Sequence, residues 1–198
     1  ACNNSGSIAT SNPANSVTYS YRYLAGISAY SNGEIDRCSN KGSVNCIGLF
    51  AYAGGIVANN DSYIVNCNNH GSILGTSQSN GSSNYKYTYV AGISGYSSGD
   101  IEKSYNTGDI QWAQLGASEL VYTGGISGYT KGGISNCYNA GAVEGEMYYG
   151  TAGGIAGSSI GDISHCYDIG CAGNVSAIAG SAKQLLNGCF YSNYAKRG

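Results

Sequence analysis

The stretch TGGISGYTKGGISNCYNAGAV, residues 123–143, decides the fold. It divides into two short apolar pieces, Gly-Ile-Ser-Gly-Tyr and a second that begins at Ile134, with Thr-Lys-Gly between them. Pieces of strand length, carrying β-branched and aromatic residues and punctuated by glycine, argue for β-structure and against helix. The stretch recurs without a gap at 24–44, 53–73, 90–110 and 152–172, with partial units at 1–8 and 177–191. A unit this short cannot bury its own apolar face, and stacked copies can. The pattern therefore predicts one all-β domain over 1–198, a parallel β-helix (β-solenoid). It is expected to be right-handed, with about six coils of 29–37 residues and three short strands per coil. Coils spaced by about 4.8 Å would make a rod on the order of 30 Å long.

Stacking turns each position of the unit into a column. Ile27, Ile56, Ile93, Ile126, Ile155 and Ile178 form one apolar column. Ile35, Ile64, Ile101, Ile134, Ile163 and Leu186 form a second. Ile8, Val44, Ile73, Ile110, Val143 and Ala172 form a third. Asn4, Asn40, Asn69, Asn106, Asn139 and Asp168 share a polar position, where stacked amides can hydrogen-bond along the axis. Asp168 cannot donate, so it weakens or ends such a ladder. Gly6, Gly42, Gly71, Gly108, Gly141 and Gly170 read as a corner that needs a conformation cheap only for glycine. The glycines between the two apolar pieces read as positive-φ turns. From the third apolar column to the next Gly-Ile isoleucine the spacing is 12, 20, 16, 12 and 6 residues, so all variation in length leaves the stack at one edge.

Composition excludes several functions. No apolar run approaches the roughly 18 residues of a spanning helix, so membrane insertion is not expected. Lys and Arg number nine against eleven Asp and Glu, which leaves no electrostatic footprint for nucleic acid. Proline occurs once, against collagen, and 42% hydrophobic residues argue against disorder.

Gly-Gly-Ile-Ser-Gly-Tyr at 124–129 and Gly-Ile-Ser-Asn-Cys-Tyr-Asn-Ala-Gly at 133–141, with their counterparts, resemble the GLUG motif, a bacterial surface-protein repeat. The resemblance covers essentially the whole chain. It implies a β-helical stalk or adhesive region of a large secreted or wall-attached bacterial protein. Similar repeats accompany some IgA-cleaving metallopeptidases, but no catalytic motif of such an enzyme can be carried over here. Departures are Ser104 in place of Cys, Asn59 and Ser158 in place of Tyr, and a degenerate last unit.

Six of the eight cysteines fall in one column, Cys2, Cys38, Cys67, Cys137, Cys166 and Cys189, with Ser104 in the remaining slot. Neighbouring rungs place Cα atoms within disulfide range, but parallel Cβ vectors would have to tilt to close the bond. Two readings stay open: free buried thiols, or rung-to-rung disulfides at Cys38–Cys67 and Cys137–Cys166. Cys46 and Cys171 lie off the column and too far apart to pair. No C-x-x-C, H-E-x-x-H, G-x-S-x-G or calcium-loop motif is present, so neither a metal nor a cofactor nor catalysis is expected. His165–Cys166 is a poor nucleophile–base pair, because adjacent strand residues face opposite ways. His165 shares its position with Arg37, Asn66, Lys103 and Asn136, a solvent-facing slot. Glu34, Asp100 and Asp162 share a corner in alternate coils and read as a solvated edge rather than an acid–base pair. Thr88, Thr107, Thr123 and Thr130 do not align, against an ice-binding face.

Tyrosine, present 19 times, carries the binding hypothesis. Four residues before each Gly-Ile isoleucine lie Tyr23, Tyr52, Tyr89, Tyr122 and Thr151; six before lie Tyr21, Phe50, Tyr87, Leu120 and Tyr149. An outward aromatic strip would stack on sugars. Phe50 and Leu120 point instead to a core role for the six-before column, and the four-before column is undecided. Tyr30, Tyr96 and Tyr129, and separately Tyr105, Tyr138 and Tyr167, read as face-stabilising ladders. The candidate ligand residues are Tyr23, Tyr52, Tyr85, Tyr87, Tyr89, Tyr122 and Tyr149, beside the loops at 9–23 and 74–89. The expected function is a non-catalytic stalk or adhesion module, secreted or on a bacterial cell surface, binding a glycan or host glycoprotein. The alternatives are the recognition region of a larger secreted enzyme, or a subunit that self-associates end to end through unpaired edges. With no leader or wall anchor visible, a segment of a longer parent chain is the other expectation for the ends.

Overall fold

The computed structural model describes residues 1–10, 21–48, 50–77, 86–114, 119–145, 149–170 and 175–192. It is a β-solenoid of five parallel sheets, crossed in turn by each coil. Sheet I holds Tyr21–Ala25, Phe50–Gly54, Lys86–Ala91, Glu119–Gly124 and Gly150–Gly153. Sheet II holds Ser28–Ser31, Val57–Asn60, Ser94–Ser97, Ser127–Thr130, Ala156–Ser159 and Ala179–Ala182. Sheet III begins at Ile35–Asp36 and ends at Leu186–Asn187; sheet IV runs from Asn3–Asn4 to Phe190–Tyr191; sheet V runs from Ile8–Ala9 to Val143–Gly145. Each coil thus carries five strand segments, not three. The two extra corners fall between segments only two residues long, too short to show a hydrophobic alternation in sequence.

The predicted columns are the observed registers, save Ala172, which with Cys171 lies outside the described residues. Ile35, Ile64, Ile101, Ile134, Ile163 and Leu186 pair rung on rung. The middle four have no exposed surface, and Leu186, with no rung above it, is 49% exposed. The five isoleucines of this column, the Gly-Ile isoleucines and the column cysteines from Cys38 to Cys189 form one core. Val44, Ile73, Ile110 and Val143 of sheet V face Ala51, Ala53, Val90 and Val121 of sheet I in a second.

The asparagine ladder stands as predicted. Each Nδ2 donates to the next rung's Oδ1, at 2.7 Å for Asn4, Asn40, Asn69 and Asn106 and at 2.8 Å from Asn139 to Asp168. Each also donates to the carbonyl of the glycine two residues on, as Asn106 does to Gly108 at 2.7 Å. All five asparagines point their donors the same way, and Asp168, which only accepts, ends the run. The ladder packs on the Gly-Ile glycines: a Cβ on Gly92 would fall 2.3 Å from the Asn106 carboxamide carbon.

The corner glycines need a different explanation from the predicted one. Gly42, Gly71, Gly108, Gly141 and Gly170 do not adopt positive φ; a Cβ on each would lie 2.0–2.1 Å from the carbonyl oxygen of the matching glycine one rung away. They are glycine because backbones meet there. Gly99 and Gly132, read as positive-φ turns, are likewise packed on the preceding rung. The left-handed corner is the mixed polar position instead: Arg37, Asn66, Lys103, Asn136 and His165 have φ of 48–55°, and Gly188 continues the column at 59°. That reversal lets Ile35 and Cys38, three residues apart, enter the same core while Arg37 stays in solvent.

Candidate functional site

From its second strand on, sheet I alternates small inward residues with large outward ones; in the first strand Arg22 and Leu24 take the inward positions. Ala51, Ala53, Thr88, Val90, Val121 and Thr123 are buried inside. The tyrosines on the other parity all face out. This settles both columns. The six-before residues are not core: Tyr21 and Tyr149 are 59% exposed and Tyr87 is 39% exposed, with Phe50 and Leu120 partly covered on the same face. In the four-before column Tyr23, Tyr52 and Tyr122 are partly buried, and Tyr89, at 8%, is nearly enclosed. Tyr85 lies outside the described residues.

What covers Tyr89 is other tyrosine. The chain bends at each Gly-Ile between sheets I and II, and the outer faces of the two sheets meet in an aromatic corner. Along sheet I, ring centroids are 4.6 Å apart for Tyr23–Tyr52, 4.8 Å for Tyr52–Tyr89 and 5.5 Å for Tyr89–Tyr122. Along sheet II, Tyr96 and Tyr129 stack at 5.5 Å and 2°. Across the corner the rings meet edge to face, Tyr89 on Tyr96 at 72° and Tyr122 on Tyr129 at 79°. Tyr89–Tyr122 and Tyr96–Tyr129 stack within 13°, while Tyr23–Tyr52 and Tyr52–Tyr89 tilt by 37° and 47°. The stacks with near-perpendicular contacts between the sheets form a herringbone, an arrangement the ring quadrupole favours. Sequence reading placed Tyr96 and Tyr129 in a separate ladder; the signal that joins them to Tyr89 and Tyr122 is the Gly-Ile bend, seven residues separating Tyr89 from Tyr96 and Tyr122 from Tyr129.

The herringbone decides what the corner offers chemically. Ring faces within the stacks are occupied by neighbouring rings, so solvent meets ring edges and hydroxyls. Burial, reinforced by neighbouring phenols, pushes the Tyr52 and Tyr89 hydroxyls far above the ordinary phenol range, and burial raises Tyr23 and Tyr122 as well. These hydroxyls are protonated and neutral throughout the physiological range. At the sheet II rim, Tyr30 donates to Asp61 at 2.7 Å, which with Ser98 holds that carboxyl below its usual range. Lys131 sits 5.8 Å above the Tyr96 ring, a cation–π distance.

The remaining candidates are structural. Tyr105, Tyr138 and Tyr167 stack at 4.8 and 4.9 Å with planes within 4°, the predicted ladder. The described cysteines are free thiols: Cys2 exposed, Cys38, Cys46, Cys67, Cys137 and Cys166 buried, Cys189 partly so. Neither proposed disulfide forms; Cys67, Cys137 and Cys166 aim Sγ at the carbonyl two residues back, at 3.2–3.3 Å. Burial pushes the Cys67 thiol up to about 11 and Cys46 up to about 12. Cys166 is enclosed while His165 stands in solvent, so the two do not form a nucleophile–base pair. Glu34, Asp100 and Asp162 line an open groove of about 360 Å³ along sheet III with Tyr63 and Glu102. There Asp100 accepts the Gly133 amide at 2.7 Å and Asp162 the Leu185 amide at 3.3 Å, each capping the next rung. Among the described residues, no three His, Cys, Asp or Glu are arranged to hold a metal.

No family model matches the chain, and neither a curated protein nor a solved structure is found similar to it.

Proposed function

We propose that the chain is a non-catalytic stalk and adhesion module of a secreted or surface-attached bacterial protein, built from GLUG-like repeats. Its aromatic edge would engage glycans or host glycoproteins. The observation that carries this reading is the outward aromatic face of sheet I, exposed at Tyr21, Tyr87 and Tyr149, beside the point where every variable-length connection leaves the stack. A rigid scaffold that sends its variable segments to one edge is a common way to hold a binding surface. Repetition along the axis would add avidity for a repeating ligand.

The test is binding of the purified chain to an array of glycans and host glycoproteins, alongside a Tyr21→Ser/Tyr87→Ser variant. Both side chains are exposed, so the fold is expected to survive. A reproducible hit that the double variant loses supports the proposal; absence of any hit at high concentration leaves a passive spacer and refutes adhesion. No separate observation favours head-to-tail self-assembly. The recognition region of a larger enzyme remains compatible with the same face, and no separate observation favours it.

A further inference from the structure

The aromatic corner stops inside the rod, not at its end. Along sheet I the register runs Tyr23, Tyr52, Tyr89, Tyr122 and then Thr151. Along sheet II it runs Tyr30, Asn59, Tyr96, Tyr129, then Ser158 and Ser181. Both ladders therefore end on the same rung. The backbone stack does not: Ala156–Ser159 pairs with the rung below and with Ala179–Ala182 above. Two rings are missing from an otherwise continuous wall, which leaves a step in it.

The lower side of each terminal ring is stacked, Tyr122 on Tyr89 at 5.5 Å and Tyr129 on Tyr96 at 5.5 Å. Among the described residues, the upper side has no ring partner. These two rings stand at 79° to each other. Thr151, Ser158 and Ser181 occupy the space where further rings would have stood, and Tyr149, 59% exposed, flanks it. Thr151 already donates to Gly157 at 2.7 Å, which fixes its hydroxyl. Burial keeps the Tyr122 phenol protonated, and Lys131, two residues past Tyr129, turns its ammonium to the Tyr96 ring, 5.8 Å away. The earlier break, at Asn59, differs: Tyr30 spans it by its hydroxyl bond to Asp61 in the next coil.

We propose that this step binds a pyranose ring of a glycan. The inference rests on the adhesion reading and gives it a site. An occupant must extend the ring-on-ring interface already built along both sheets, so it needs a flat apolar face of about one ring's area. It must also meet a rim of hydroxyls. A pyranose satisfies both requirements, its C–H face lying on Tyr129 or Tyr122 and its hydroxyls reaching Ser158, Ser181 and the tyrosine hydroxyls. A purely aromatic group would leave the hydroxyl rim unused.

The decisive variant is Ser158→Tyr in the full chain. It supplies the missing rung, on a side chain of the same outward parity as Tyr129, and so fills the step while extending the stack. Binding of galactotetraose and cellotetraose is measured by saturation-transfer NMR and calorimetry, with thermal unfolding as the fold check. Expected is binding by the natural chain, weakened about tenfold or more in Ser158→Tyr, with the melting point held or raised. Tyr129→Leu, which removes a terminal ring face without rebuilding the rung, is expected to weaken binding similarly and keeps the test decisive should Ser158→Tyr misfold. Unchanged affinity in both variants overturns the site. Binding of tryptophanamide in preference to either oligosaccharide overturns the sugar assignment. Array hits that survive Ser158→Tyr but vanish in Tyr21→Ser/Tyr87→Ser overturn the step and leave the adhesion reading standing.

Discussion

Replacing Asn106 with alanine tests whether the asparagine ladder holds the two cores together. Asn106 has no exposed surface. Its carboxamide donates to Asn139 at 2.7 Å and to Gly108 at 2.7 Å, and accepts from Asn69 at 2.7 Å and from the Gly108 amide at 3.3 Å. Truncation leaves the Asn69 amide hydrogen and the Asn139 carbonyl oxygen facing a gap. Each orphaned buried group costs about 1–3 kcal/mol, so the pair costs about 2–6 kcal/mol. Water entering the vacated space would restore part of that and favours the lower half of the range. Equilibrium urea unfolding, followed by circular dichroism and by fluorescence of the buried Trp112, measures the loss. Gln111→Ala, on the exposed face of the same coil, is the control and should stay within about 0.5 kcal/mol. Asn106→Asp adds a second reading. An ionised carboxylate there turns oxygen toward the Asn139 and Gly108 oxygens, so its folded pKa lies above the unfolded value. The native state then holds the proton longer, and stability falls as pH rises through that window. An Asn106→Ala variant within about 0.5 kcal/mol of the natural chain would refute the reasoning.

Gly71→Ala should destabilise by about 3 kcal/mol or more, since its Cβ would stand 2.0 Å from the Gly42 oxygen; urea unfolding measures it. His165→Gly should instead stabilise by about 0.5–1 kcal/mol, because His165 holds a φ of 51° that costs a non-glycine residue more than the added chain entropy of glycine. Loss of stability there would show the corner is unstrained. Stability should also decline in alkali. The folded thiol of Cys67 is pushed from 9.0 up to about 11 and that of Cys46 up to about 12, so the unfolded chain releases its protons first. The stabilisation is complete below about pH 9 and is lost as pH climbs toward those folded values, with the raised phenols of Tyr52 and Tyr89 acting in the same direction. Melting curves from about pH 7 to about pH 10.5 that do not shift would contradict it.

The fold was legible in the sequence because each rung repeats the one below. A column of isoleucine or asparagine read from spacing is a column in space, and the registers of Ile64 with Ile101 and of Asn69 with Asn106 follow directly. What escaped were features carried by residues that do not look like their role. Arg37, Lys103 and His165 do not advertise a left-handed corner, and sequence reading gave that conformation to Gly71 and its column, where close backbone approach is the cause. The orientation of the tyrosines was misjudged at Phe50 and Leu120, which seemed apolar enough for a core. The informative residues lay between them: Ala51 and Ala53, Thr88 and Val90, Val121 and Thr123 are the small alternating set that fills the narrow space between sheets I and V.

That alternation links the fold to the proposed function. With Ala51, Ala53, Thr88, Val90, Val121, Thr123 and Ala152 turned inward on sheet I, the tyrosines of the other parity lie outward. From the second strand on, the aromatic wall is therefore the reverse side of tight packing; Arg22 and Leu24 of the first strand are the larger inward residues. Outward tyrosines one rung apart then have two choices, exposure or mutual stacking, and the Gly-Ile bend brings sheet II's tyrosines within reach to complete a herringbone. Stacking stabilises the wall but occupies the ring faces a sugar would need. The wall can therefore serve as scaffold along most of its length and bind by ring stacking where the stack is interrupted. Thr151 and Ser158 make that interruption on the same rung, with paired backbone continuing above it.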